Sequence, residues 1–199
     1  YVVCALMLAY TPGSMQLKSM SHLKGTERGS VFYCCKLLVK PEPIKVFLPE
    51  PEVQCIQIVA SQLGLTLLNQ LDGNLQPSSK NAVLKTLIEY RVESSLNIAY
   101  LFVSNWNLSS FDDVYRILRH LCREGVDAVY ALIDLSQADA RMFYQDLIAL
   151  GFIGAGLTPY MPYPATLMLQ YINNQLLHEA AVFAEGAQAQ QIKQRVFAA

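Results

Sequence analysis

The sequence predicts an α/β protein built on a mixed sheet. Residues 97–152 hold two strand–helix units in a row, each helix with a polar start and a glycine at its end. Consecutive units of this kind place their strands in parallel with right-handed crossovers. On either side stand further runs rich in β-branched and aromatic residues, bounded by turn-forming residues, which read as additional strands.

In chain order, residues 1–40 read as two strands, 2–10 and 30–39. The connection between them carries Pro12, Gly13, Gly25 and Gly29 among polar and basic residues, which is loop composition. The segment KPEPIKVFLPEPE follows, with Pro41, Pro43, Pro49 and Pro51. It reads as a proline linker over 41–50 with a short extended stretch at 44–48. A helix comes next. Pro51 suits its first turn, Glu50 and Glu52 complement its positive end, and Gly64 suits its C-terminal cap. Val53, Ile56, Val59, Ala60 and Leu63 share one of its faces.

Residues 72–80 are a loop. Runs 83–92 and 97–104 read as strands joined by a polar turn at 93–95. A helix over 111–124 carries the stripe Phe111, Val114, Tyr115, Leu118, Leu121 and Cys122. Ser110 and Asp113 have capping-box spacing before it, and Gly125 ends it. A strand at 128–132 leads to a helix over 138–150 with the stripe Phe143, Tyr144, Leu147 and Leu150. Ser136 and Asp139 repeat the capping-box spacing, and Gly151 ends this helix. Strands at 152–157 and 166–172 follow, then a C-terminal helix over 176–197, broken near Gly186.

Composition narrows the function classes. Of the 199 residues, 53% are hydrophobic and 16% charged, and the net charge is −1. No apolar run approaches the roughly 20 residues of a membrane helix. No basic excess points to nucleic acid or to an anionic membrane. Cys4, Cys34, Cys35, Cys55 and Cys122 form no C-x-x-C pair, and His22, His120 and His178 are scattered, so no metal site is expected. Reduced, mostly buried thiols fit a cytoplasmic protein. The chain starts at Tyr1 with an apolar decapeptide and no basic segment before it, and is expected to begin inside a larger protein.

The order of antiparallel strands, strand–helix–strand–helix and two final strands resembles the GNAT N-acetyltransferase superfamily. LIALGFIGAGLTPY resembles its late helix ending in a leucine-Gly-Phe signature, here Leu150, Gly151 and Phe152; LMLQYIN resembles its last strand. A closer resemblance is to a GNAT-like region of bacterial proteins that lies beside an ATP-binding module of the anti-sigma-factor type. There a strand like LMLAYTPGSMQLKSM, a strand like RGSVFYCCKLL, a proline linker with LPE and the late leucine-Gly-Phe segment occur in this order. The resemblance implies an acyl-CoA N-acyltransferase fold over 51–175. It makes 1–40 the C-terminal strand pair of a preceding, incomplete copy that stands outside the second copy's sheet, and 176–199 a helical tail.

The superfamily holds the pyrophosphate of acetyl-CoA on a Q/R-x-x-G-x-G/A loop and the following helix N-terminus, where glycine allows close backbone approach. The matching segment here, 104–113, has no glycine and no basic residue, and Asp112 and Asp113 place negative charge where phosphates bind. The frequent general-acid tyrosine, four residues before the late glycine, corresponds to Leu147; Tyr144 lies one turn earlier on the same face. No catalytic residue is assigned. Asn105, Trp106, Asn107, Ser109 and Ser110 are the candidates for a polar site, because they stand at the carboxyl end of a parallel strand; loop capping is the other reading of these residues.

The expectation is therefore a regulatory or protein-interaction module with a degenerate active site and no cofactor. Its partner is another GNAT-like copy, an ATP-binding regulatory module or a second copy of itself. The alternatives are part of an active tandem acyltransferase using acetyl-CoA or another acyl-CoA, with its catalytic copy mainly upstream, and a small-molecule sensor.

Overall fold

The computed structural model describes residues 1–12, 28–70, 87–104 and 110–198. Among these residues the fold is mixed α/β, with four α-helices and a mostly antiparallel seven-stranded sheet. The strands are β1 (Val2–Thr11), β2 (Gly29–Cys35), β3 (Ile44–Val46), β4 (Leu67–Asn69), β5 (Leu87–Glu93), β6 (Ile98–Ser104), β7 (Ala128–Asp134), β8 (Ile153–Leu157) and β9 (Thr166–Ile172). The helices are α1 (Val53–Leu63), preceded by a 3-10 turn at Glu50–Glu52, α2 (Ser110–Arg123), α3 (Ala140–Ala149) and α4 (Ala187–Ala198). The large sheet runs β2-β1-β8-β9-β7-β6-β5, and β3 and β4 form a separate parallel pair.

The centre of this sheet follows from the two strand–helix units. β6 and β7 are parallel from Ile98↔Ala128 to Phe102↔Leu132, with α2 crossing between them. The apolar stripes of the helices then fall on one side of the sheet. Ile56 and Val59 of α1, Val114, Leu118 and Leu121 of α2, Phe143 and Leu147 of α3, and Ile192 and Val196 of α4 all join one core with Leu101, Val129, Ile133 and Leu169. The opposite side gathers Met7, Ile98, Tyr130, Leu132 and Met168 in a second cluster to which, among the described residues, no helix contributes, ringed by Tyr10, Tyr100 and Phe102.

Several expectations are corrected. The strand pair 1–40 does not stand outside the sheet that follows it. β1 pairs with β2 and also with β8, through Ala5↔Gly156, so one sheet includes both. Within the proline linker the extended stretch read at 44–48 is present as β3, and Val46 and Leu48 are buried in the core. β4, which has only three residues and no periodicity to announce it, escapes the sequence reading. The second strand stops at Cys35, leaving Leu38 and Val39 exposed. The tail is a turn at Glu179–Ala181 and then α4, with Gly186 at φ +86° before it.

Two cap and face assignments also change. Asp134 Oδ1 accepts from the backbone N–H and hydroxyl of Ser136, and Oδ2 accepts from Gln137 Nε2, so Ser136 is spent in a turn and α3 begins later, at Ala140. Tyr115 leaves the predicted stripe and is 42% exposed; on the helix surface Arg119 lies over its ring and donates to its hydroxyl at 3.0 Å. The loop read at 72–80 and the first residues of the strand read at 83–92 lie outside the described residues.

Candidate functional site

Of the candidate site residues, Asn105, Trp106, Asn107 and Ser109 lie outside the described residues. Ser110 is the first residue of α2 and is fully buried. The first turn of α2 carries Asp112, exposed to solvent, and Asp113, which is paired with Arg116 one turn on. The positive end of this helix dipole is thus met by two carboxylates of the same helix.

Leu147 is fully buried and packs in the core. Tyr144 is buried as well, and its hydroxyl donates to Glu52 Oε1 at 3.1 Å. Burial raises the Tyr144 pKa above the ordinary tyrosine value. Glu52, only 2% exposed, is also bound by the guanidinium of Arg195 from α4. A charge this deep persists because it is paired and hydrogen-bonded. Gly154 makes the space, since a Cβ there would stand 2.7 Å from Glu52 Oε1 and 3.0 Å from Arg195 Nη2. Both oxygens of Glu52 are therefore occupied by groups of the chain, and the arrangement holds α4 to the α1 and α3 region. The sequence placed Glu52 as a dipole-complementing residue and did not single out Arg195. A glutamate in a first turn and an arginine in a last turn are ordinary helix-end residues, so no sequence signal links them.

A second polar cluster closes one end of the sheet. Asp127 Oδ2 accepts from Arg28 Nη1 and from Asn97 Nδ2, each at 2.8 Å, and Oδ1 accepts from Gln175 Nε2 at 2.5 Å. Arg28 also donates to the carbonyls of Ala9, Tyr10 and Leu96. Seven residues from five segments of the chain are joined here, with the Arg28 and Asp127 charges paired. Among the described residues, no buried side-chain nitrogen or oxygen lacks a hydrogen-bond partner.

No family model, no curated protein and no solved structure matches this chain. An open cleft of about 750 Å³ lies between the exposed segment at Leu38 and Val39 and the C-terminal end of α1, with Ala60, Leu63 and Leu65 on its wall. It holds no cluster of titratable groups. Among the described residues, no three His, Cys, Asp or Glu side chains converge to hold a metal ion, and no helix is long and apolar enough to cross a membrane.

Proposed function

We propose that the chain is a GNAT-like module that works by binding partners, in the cytoplasm, without acetyl-CoA chemistry of its own. The order β5-β6-α2-β7-α3-β8-β9, with β9 between β7 and β8, is compatible with the superfamily pattern read from the sequence. The observation that carries the functional half of the proposal is the start of α2. A pyrophosphate there would meet the carboxylates of Asp112 and Asp113 and would have no glycine or basic side chain from 104–113 to hold it. The partner is a second GNAT-like unit or an ATP-binding regulatory module. Calorimetric titration of the chain with acetyl-CoA tests this. No saturable heat is expected at concentrations up to about 1 mM, where even a weak complex of roughly 4 kcal/mol would register. A low-micromolar site mapped to Ser109 or Ser110 by amide exchange overturns it in favour of an acyltransferase.

A further inference from the structure

The chain has seven arginines, and they divide by what their side chains do. Arg28, Arg141 and Arg195 are engaged inside the fold, with Asp127, with the carbonyls of Leu48 and Gln70, and with Glu52. Arg91 is paired with Glu93 on β5. The other three, Arg116, Arg119 and Arg123, lie on successive turns of α2 and are exposed. Their spacing of three and four residues sets them in one row, on the side of the helix away from its buried Val114, Leu118 and Leu121. Arg116 is paired with Asp113. Among the described residues, no carboxylate is paired with Arg119 or Arg123.

Aromatic and apolar surface borders this row. The Arg119 guanidinium lies 5.6 Å from the ring centroid of the exposed Tyr115 and donates to its hydroxyl. On β5, Tyr90 and Val92 alternate with Ile88, which packs against the main core. They therefore share the sheet face that α2 covers, yet they are 43% and 41% exposed. The His120 ring stands edge-on to Tyr90, with 6.5 Å between centroids.

We propose that this face of α2 and β5 docks an acidic segment of a partner protein, with carboxylates on Arg119 and Arg123 and an apolar side chain against Tyr90 and Val92. It rests on the partner-binding reading above and gives that reading a surface. Arginine is the cation suited to the task, because its planar fork takes a carboxylate in two parallel hydrogen bonds. Arg119 is already held against Tyr115, so it loses less freedom on binding. Arginine and tyrosine are also among the residue types that dominate interface energies. The ends of the row decide against a longer polyanion. Asp112 and Glu124, both exposed, stand just before and just beyond it. A nucleic-acid backbone or an anionic membrane carries its charge on past the row and meets both carboxylates. A short protein segment confines its charge to the roughly 10 Å between Arg116 and Arg123.

Fluorescence anisotropy of a short labelled peptide of alternating glutamate and leucine, titrated with the 199-residue chain, tests the proposal. A Kd on the order of 100 μM is expected at low salt, weakened by roughly tenfold or more at about 0.5 M salt. Reversing both charges, Arg119→Glu with Arg123→Glu, should weaken binding by roughly tenfold or more, while Arg91→Gln leaves it within about twofold. No saturation by about 1 mM overturns the proposal, and so does binding indifferent to the double reversal. Tighter binding to a single-stranded oligonucleotide or to phosphatidylserine vesicles than to the peptide overturns it as well. Should the reversed variant fail to fold, amide exchange of the wild-type chain with and without the peptide decides. Protection gained in α2 and β5 supports the surface, and protection gained elsewhere or not at all refutes it. A failure here leaves the acetyl-CoA titration unaffected, so loss of this surface and loss of the module reading are told apart.

Discussion

Two joins within the large sheet are made by different means. β7 and β9 are paired residue by residue, from Ala128↔Ile172 to Asp134↔Thr166, in an uninterrupted antiparallel ladder. β1 and β8 share one register pair, Ala5↔Gly156. What holds β1 beyond that point is side chains. Gln170 of β9 accepts from Leu8 N–H at 2.8 Å and donates to Leu6 O at 3.2 Å, so its amide serves as a rung that β8 does not supply. Tyr130 of β7 donates to Leu8 O at 2.6 Å. Gln188 of α4 brackets Val3, accepting from its N–H and donating to its carbonyl. Backbone polar groups in a core must be satisfied, but a side-chain amide satisfies them as well as a neighbouring strand does. A strand pair can therefore belong to a sheet without being laddered to it.

Three experiments would break or sharpen this contrast. The largest effect is expected from removing residues 1–40. Cys4, Leu6 and Leu8 sit fully buried in the main core, and the two leucines alone stabilise it by about 3–6 kcal/mol. That is comparable with the whole net stability of an ordinary domain. The truncated chain should give no cooperative thermal transition; a sharp melt would mean that the residues after the linker fold independently. Next comes Gly156→Val. A Cβ at this position would lie 2.3 Å from Cys4 O, and its φ of +136° suits glycine alone. The cost should be about 3 kcal/mol, with amide exchange accelerated in β1 and β2 before β7 and β9. Leu147→Ala, in the fully buried α3 stripe, should cost about 2–5 kcal/mol with exchange accelerated throughout, and it serves as the control.

The smallest effect concerns pH. Burial raises the Tyr130 pKa well above the ordinary tyrosine value, and pushes that of the Cys4 thiol up to about 12. Groups raised in the folded state keep their full contribution below their unfolded values, about 9 for the thiol and 10 for tyrosine, and lose it as pH rises toward the folded ones. Melting temperature should be flat from neutral to about pH 9 and fall above it. Tyr130→Phe removes the donor to Leu8 O, should cost about 1 kcal/mol at neutral pH, and should shrink the alkaline decline. An unchanged alkaline profile in that variant would show that Tyr130 is not part of it.

The laddered region is the one that periodicity reveals. The α2 and α3 stripes, their terminal glycines and the strand at 166–172 are local patterns, and the helices and strands stand within a residue or two of where those patterns place them. The side-chain join is invisible for a physical reason. Gln170 and Leu8 are 162 residues apart, and Glu52 and Arg195 are 143 apart. A lone glutamine inside an apolar strand or an arginine near a helix end carries no mark of its partner. The same holds for the candidate site: Ser110 was legible as a helix start, whereas its complete burial depends on packing that no local pattern encodes.

The separation between Leu8 and Gln170 also bears on synthesis. β1 leaves the ribosome before β7, β8, β9 and α4, the elements that hold it beyond β2. At ordinary elongation rates the 162 intervening residues take roughly 8–30 s to appear. Until the last of these segments appears, the core around Leu6 and Leu8 is incomplete. The β1–β2 pair is thus the part of this chain for which a chaperone that shields apolar strands would matter most, and polysome-bound chains are where premature association through it would first be detected.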